Sequence, residues 1–483
     1  MAIMAKPIKN YFIYISLTFL IFIIAIAFNI SPYLRGPGPY PPDWRWAYLF
    51  ANTIYKIWAP LIILVVIGIL IKIVEELEFK TLIKNTKIIV VLFIISSFLF
   101  QISIVYFSRS GIGVLLHRII DPNLNGYFTT SLHITNINTF LSGYSQNVLS
   151  FSMHAQGHPP GAILLYYLLN QIFSHFTLFN KFVTSIHIQH QDVNIVWSNL
   201  NTSQKSTAIF SMILIPFLSS LVLIPIYLST KALYDIKTAL RAVQLYIFIP
   251  SIVLFIPIND VFLPLFTMFS FTLLIFGLKS QKSYLVFLSG IIFSLGLFFS
   301  ISILPVLLIM FLFLYLFNYK KSIAAGLVFY VAGLLVVPFI LLLNAIDPLK
   351  MFLVLMSGLP KGRKYSTWIV YNIYDFYIFS GIPVLVLFFI YLCNSCKQLF
   401  KKKILRVDLL FLSFILMVVL LDVSGSVRGE AARIWIPFYS FLVIIISKFI
   451  TQDLQINKKY FMFLILLQCI QIIVMQEFWV TLW

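Results

Sequence analysis

Apolar runs of near twenty residues recur along the whole of this 483-residue chain. An α-helix needs a run of about that length to cross a hydrocarbon layer of about 30 Å at about 1.5 Å per residue. Hydrophobic residues make up 61% of the sequence and charged residues only 10%, which is outside the range of soluble globular domains. In lipid, backbone polar groups must be satisfied within a helix or a closed barrel. The runs are continuous and do not alternate, so a barrel is excluded. The chain is expected to be all-α, a polytopic membrane protein of about 13 spans, at 11–30, 57–74, 88–106, 207–229, 241–258, 261–278, 284–299, 303–317, 323–343, 377–395, 407–422, 434–450 and 460–476. The spans at 284–299 and 303–317 are short and are expected to hinge at Ser300–Pro305. Run 11–30 has no small-residue cleavage site after it, and reads as a retained span, not a removed signal peptide.

The formal charge is +19, from 34 Lys+Arg against 15 Asp+Glu. Most of that excess sits in short loops: Lys80/Lys84/Lys87, Lys231/Lys237/Arg241, Lys279/Lys282, Lys320/Lys321, Lys397 to Arg406, and Lys448/Lys458/Lys459. The positive-inside tendency accounts for this pattern without a nucleic-acid partner. With these loops in the cytoplasm, the N-terminus is cytoplasmic. The opposite, extracytoplasmic face then holds 31–56, 107–206, 259–260, 344–376 and 423–433. Segment 159–178 is apolar enough to cross, but a crossing would invert every later loop. It is therefore expected to enter only part way or to lie along the interface, which its Asn170, Gln171 and His175 favour. The three cysteines, Cys393, Cys396 and Cys469, supply no four-ligand zinc set.

Polar chemistry collects on the outer face. Its acids are Asp43, Asp121, Asp192, Asp260, Asp347, Asp375, Asp422 and Glu430. The loop beginning HRIIDPNLNGYFTTS leads to HAQGHPPG, from His154 to Gly161, where paired prolines open an apolar helix. Asp121 reads either as a general base or as the starter of an Asp-Pro turn. Asp260, in IPINDVFLP, reads either as a second carboxylate at the same cavity or as a helix N-cap. His158 and His154 could hydrogen-bond a phosphate, act as bases, bind a metal with an acid, or be loop histidines exposed at the interface. In DVSGSVRGEAARIWIP, Arg428, Glu430 and Arg433 precede an apolar run, with Glu430 and Arg433 at helical ion-pair spacing. Arginine also suits bidentate phosphate binding. Lys361, Arg363 and Lys364 stand on the face where basic residues are disfavoured, which points to an anionic ligand. Tyr365, Trp368 and Tyr371 beside them suit an interfacial belt. The Pro/Gly-rich segment YLRGPGPYPPDWRWAY reads as a cap over the site or an interfacial turn.

These motifs resemble the GT-C superfamily of membrane glycosyltransferases, the multi-span enzymes that use polyprenyl-phosphate-linked sugars. HPPG is similar to the HPPLGK element of protein O-mannosyltransferases and the KPPL element of lipid A aminoarabinose transferases. GEAARIW is similar to a GE-x-x-RIW element of bacterial members, carried here by Glu430, Arg433 and Trp435. The resemblance places Asp121 at the family's first acid and Asp260 at a later one, although the family's paired acids are a single acid here. It implies one integral-membrane domain, 1–483, with extra N-terminal spans in 1–87. A GT-C-like catalytic module would occupy 88–343, and C-terminal spans with the basic loop and GEAARIW would occupy 344–483. It further implies an inverting hexosyl- or pentosyltransferase in the cell membrane. The partners would be a polyprenyl-phosphate sugar donor, a glycan, lipid or protein acceptor, and membrane lipid. Asp121, Asp260 and His158 would be catalytic. His154, Lys361, Arg363, Arg428, Glu430 and Arg433 would bind substrate or phosphate. No cofactor is named by the sequence, and a divalent metal between carboxylates is compatible with it. The alternatives are a lipid-linked glycan flippase, which would need polar residues inside the spans, or a polysaccharide polymerase.

Overall fold

The structure, a computed structural model, describes residues 2–41, 43–152, 154–185, 194–316, 323–344, 346–357, 362–400 and 408–481. Asp192, Lys320, Lys321, Lys361 and the stretch 401–407 lie outside the described residues. The chain is built from helices. Its one sheet among the described residues pairs Ala47–Tyr48 with Trp479–Val480.

Among the described residues eight helices are long and apolar enough to cross a membrane, or up to 10 if each of two sharply bent pairs counts as one span. The eight are Ile8–Ala27, Trp58–Glu76, Phe79–Phe107, Thr202–Leu233, Asn259–Ser280, Ala324–Leu343, Ile436–Asp453 and Lys458–Phe478. Where three further spans are expected the chain forms shorter apolar helices, Ser283–Phe299, Ile301–Leu316 and Leu409–Ser424. The break between the first two of these falls at Ser300, whose hydroxyl accepts from Ser302 N. Run 241–258 is not one helix. It divides into Ile236–Ile247 and Pro250–Leu254, because proline lacks an N–H and restricts the residue before it.

Polar contacts sort the helix ends into two sets. At one end Glu75 binds Arg241, Glu76 binds Lys458, Asp235 binds Gln452 and Asp408 binds Tyr234. The basic turns at 80–87, 231–241, 279–282 and 448–459 belong to this end. At the other end Trp368 binds Asp43, Trp46 binds Asp375, Glu477 binds Thr53 and Arg433 faces Asp260. Basic turns thus gather at one end of the bundle beside Glu75, Glu76, Asp235 and Asp408, and the other end holds Asp43, Asp260, Asp375 and Glu430 together with Arg363, Arg428 and Arg433.

Two apolar helices lie across that second end. Helix Gly161–Ser174 touches the ends of three others in succession. Gly161 rests on the backbone of Phe298, where a β-carbon would clash. Tyr166 donates to Asn259 Oδ1 at 3.2 Å, and Asn170 accepts from Ser203 at 2.9 Å. The chain then turns by 100° into Thr177–Thr184, where Asn180 accepts from Ser206 at 2.6 Å. Ser203 and Ser206 stand in the first turns of Thr202–Leu233, which is 32 residues long. At about 1.5 Å per residue it exceeds a core of about 30 Å by several turns. Run 159–178 therefore does not form a straight crossing helix.

The second such helix is Tyr365–Ser380, which turns by 117° into the helix that follows. Residues 365–376 were expected as loop and are helical. Gly381, at a φ of 96°, makes the turn; of the aromatic residues that suggested a belt, Trp368 is buried and Tyr365 is exposed, its hydroxyl donating to Val423 O at 2.8 Å.

A topological prediction follows from this sorting. In a chain free of native cysteine, single cysteines at exposed Asn138 and Asn199 should both react with an impermeant maleimide in whole cells. Reaction at one site alone would mean that the chain crosses between them.

Candidate functional site

Helix Tyr365–Ser380 is the template for the late motif. Trp368, Asn372, Asp375 and Phe376 recur at helical spacing and share a face. Asn372 accepts from Gly429 N at 3.0 Å and donates to Val427 O at 2.8 Å and Asp422 Oδ1 at 3.1 Å. Asp375 accepts from Ala432 N at 2.8 Å and, with its other oxygen, from Trp46 Nε1 at 2.9 Å. Its carboxylate thus fastens the short helix Ala431–Ile434 to the early cap segment. Tyr374 reaches the same segment by donating to Leu34 O at 2.9 Å.

So held, segment 425–434 is bent sharply. Gly429 has a φ of 109°, and a β-carbon there would strike the Arg363 guanidinium. Glu430, which is not glycine, holds a left-handed φ of 59°, at a strain of about 1–2 kcal/mol. Strain of this kind persists only where the surroundings fix it, and it concentrates at functional sites.

The Glu430 carboxylate bridges two arginines, at 2.9 Å to Arg433 and 3.4 Å to Arg363. Arg433 faces a second carboxylate, with Nε 3.8 Å from Asp260 Oδ2. That Nε is buried and has no hydrogen-bond partner among the described residues. Asp260 makes no side-chain cap at the helix that follows it, so the N-cap alternative is not realised. Its carboxylate points into the cluster.

The HPPG loop lies within electrostatic reach of the same cluster. His158 and His154 both feel the Arg433 charge. Burial first and Arg433 second push His158 down to about 3 from 6.5. The same two causes, with His158 as a third, lower His154 to about 2. Both imidazoles are therefore neutral near neutral pH and able to donate or accept hydrogen bonds. The His158 carbonyl accepts from Tyr144 at 2.5 Å, and its ring meets Tyr127 edge-on at 5.4 Å. Burial and then the negative charge of Asp260 raise Tyr127 well above the ordinary phenol value, so it stays an O–H donor. Burial opposes the charge on Arg433, but Glu430 and Asp260 outweigh it and raise its pKa.

Asp260, Glu430, Arg433, His154 and His158 are thus brought together, with Arg363 attached through Glu430. Arg363 and Arg428 form a reciprocal latch. Arg363 donates to Arg428 O at 2.7 Å, and Arg428 donates to Arg363 O at 2.9 Å. They lie over the Trp368 and Tyr365 rings respectively. Asp121 is placed differently. It accepts from Asn123 N at 2.7 Å, which is the expected turn, and pairs with His117 Nε2 at 3.0 Å. A relay leads from it to the cluster. Asn125 N donates to Asp121 O, the Asn125 amide meets Tyr166 OH at 3.4 Å, and Tyr166 donates to Asn259, the neighbour of Asp260.

Sequence reasoning missed His117, Tyr127, Asn125, Tyr166, Asn259 and Asn372 as members of the surroundings. Tyrosine and asparagine carry no motif of their own. The available signal was adjacency, since Asn259 precedes Asp260 and Tyr127 lies in the loop opened by Asp121. Among the described residues no group of three or more His, Cys, Asp or Glu could hold a metal ion. Compared with known proteins, the chain matches no family model, no curated protein and no solved structure.

The histidines make a pH prediction. Their folded pKa values lie below 6.5, so below that pH the unfolded chain binds protons that the folded chain refuses. The stability they permit is complete above about 6.5 and is lost as pH falls toward the folded values. The melting midpoint in detergent should drop between about pH 7 and about pH 5. The drop should be smaller in a His154→Gln, His158→Gln double variant. Equal slopes would mean that both rings are in water.

Proposed function

We propose that this chain is an inverting membrane glycosyltransferase. It would move a hexosyl or pentosyl group from a polyprenyl-phosphate donor to a glycan, lipid or protein acceptor on the extracytoplasmic face. The observation that carries the reading is Arg433, a buried guanidinium held by Glu430 and Asp260 with one N–H unused, facing two neutral histidines at the end where two apolar helices lie crosswise. A polyprenyl chain would reach that end from the lipid, and the N–H would take a phosphate oxygen. The reading carries with it the GT-C architecture, with the shorter apolar helices completing a set of about thirteen spans.

In the proposed reaction the acceptor oxygen forms a bond to the anomeric carbon as its proton passes to a carboxylate. The anomeric carbon–oxygen bond to phosphate breaks, and the electron pair leaves with the phosphate. The base is placed at Asp121, which is the more accessible carboxylate and is oriented by His117. Asp260 is already committed to Arg433, and it positions that guanidinium for the leaving group. Arg433 stabilises charge that grows as the bond breaks, so its effect falls on the transition state. His158 and His154 would orient the phosphate as neutral hydrogen-bonding partners. Arg363 and Arg428 would shape the wall of the site through their latch, and Glu430 would fix Arg433. The buried charged side chains among the described residues stand at the two ends of the bundle, which supports surface chemistry over a flippase pathway through the spans.

The test uses purified protein in nanodiscs and a polyprenyl monophosphate bearing a diazirine. Wild type should be photolabelled, with unmodified polyprenyl phosphate competing. Arg433→Lys keeps the charge but loses the fork, and should weaken labelling about ten- to a hundredfold, from about 1.5–3 kcal/mol for a charge-assisted bond. Asp121→Asn should be labelled like wild type and fail to complement a strain lacking the chain. Arg433→Lys and Glu430→Gln that lower only the melting midpoint, with labelling unchanged, would make the pair a fold element and sink the phosphate assignment.

A further inference from the structure

At the opposite, basic end of the bundle lies a cavity of about 450 Å³ that the proposed transfer does not use. It is bounded by the N-terminal helix, the helix Ile382–Phe400 and the end of Ile436–Lys448. There the backbone widens into a π-helical turn, Phe449–Asp453. Such turns are rare and appear frequently at functional sites. This one brings Asp453 back to Lys448, whose Nζ lies 3.0 and 2.9 Å from the two carboxylate oxygens and 3.3 Å from Tyr391 OH. Tyr391 is in turn stacked on Phe449 at 4.6 Å. The ammonium is thus fixed in the wall of the cavity by contacts from two helices.

We propose that this cavity holds the phosphate headgroup of an anionic phospholipid. Its charged lining is Lys448, Lys397 and Asp453, a net single positive charge. Tyr391 accepts from Lys448 and keeps its own proton to donate. Tyr11, Asn394 and Gln398 add further donors around the opening. The size falls in the range of sites for small molecules, about 300–1,000 Å³. Basic pockets between spans on the positively charged side are where anionic headgroups settle. A lipid is favoured over free phosphate by what adjoins the cavity. Beyond Tyr11 the N-terminal helix presents Tyr14, Leu17, Leu20, Ile21 and Ile24 as exposed residues, a track along which an acyl chain can lie. The site is at the far end of the bundle from Arg433, and its test is independent of the transferase reading.

The experiment measures melting of the purified full chain in detergent on titration with phosphatidylglycerol, phosphatidylcholine or inorganic phosphate, with native mass spectrometry to count retained lipid. Phosphatidylglycerol should raise the midpoint saturably and phosphatidylcholine should not. Lys397→Gln, at an exposed position, should fold normally and weaken the apparent affinity at least threefold. Lys448→Gln should weaken it about tenfold or more. Lys237→Gln, exposed on the same end and away from the cavity, should respond like wild type. Equal responses to the two lipids, or a Lys397→Gln, Lys448→Gln double variant that binds phosphatidylglycerol as wild type does, would overturn the proposal. Stabilisation by inorganic phosphate with none from phosphatidylglycerol would overturn the lipid as its source.

Discussion

The Arg433 guanidinium, held between Glu430 and Asp260, is the interaction on which the arrangement of this end of the protein depends. It joins the segment before one apolar helix to the turn before another, some 170 residues earlier in the chain. A buried charge is tolerable only when paired and hydrogen-bonded. Arg433 is paired with two carboxylates, and the Nε that it turns toward Asp260 at 3.8 Å makes no hydrogen bond among the described residues. The left-handed backbone at Glu430 is the cost of aiming that carboxylate, and the bonds from Asn372 and Asp375 are what maintain it.

Around this network the protein solves a problem particular to membranes. A polar site beside lipid needs walls whose backbone groups are satisfied. The two crosswise helices, Gly161–Ser174 and Tyr365–Ser380, provide them. Each is apolar enough to border lipid and closed in its own hydrogen bonding, and each carries polar side chains inward. One contributes Tyr166 and follows the histidine loop. The other contributes Asn372 and Asp375. The early cap segment closes over the second helix through Trp46 and Asp43.

Much of the helical architecture was legible because lipid imposes a single rule on long apolar runs. Asp260, Glu430 and Arg433 were legible for a related reason. Charge is rare in such a chain, so each charged residue outside the basic loops invites an explanation. The spacing of Glu430 and Arg433 specified their pairing, which the structure contains at 2.9 Å. What the sequence concealed depends on tertiary approach. Arg363 and Arg428 read as phosphate ligands, and nothing in their spacing indicates that each also binds the carbonyl of the other across 65 positions. Residues 365–376 looked like a loop because their Asn, Asp and tyrosines dilute the apolar signal, although they form a helix. Asp121 stood out as a lone acid, and its partner His117, four residues back at helical pair spacing, carried a signal that the Asp-Pro turn reading passed over.

The central claim is that the acids, histidines and arginine at one end of the bundle act on a sugar carried by a polyprenyl phosphate. The most direct measurement is mass analysis of lipid-linked sugars and surface glycans from cells with and without this chain. The account predicts that cells lacking it accumulate one polyprenyl-phosphate sugar and lose the matching sugar from one envelope glycan, lipid or protein. Identical profiles of both pools, in cells shown to express the chain when it is present, would contradict it.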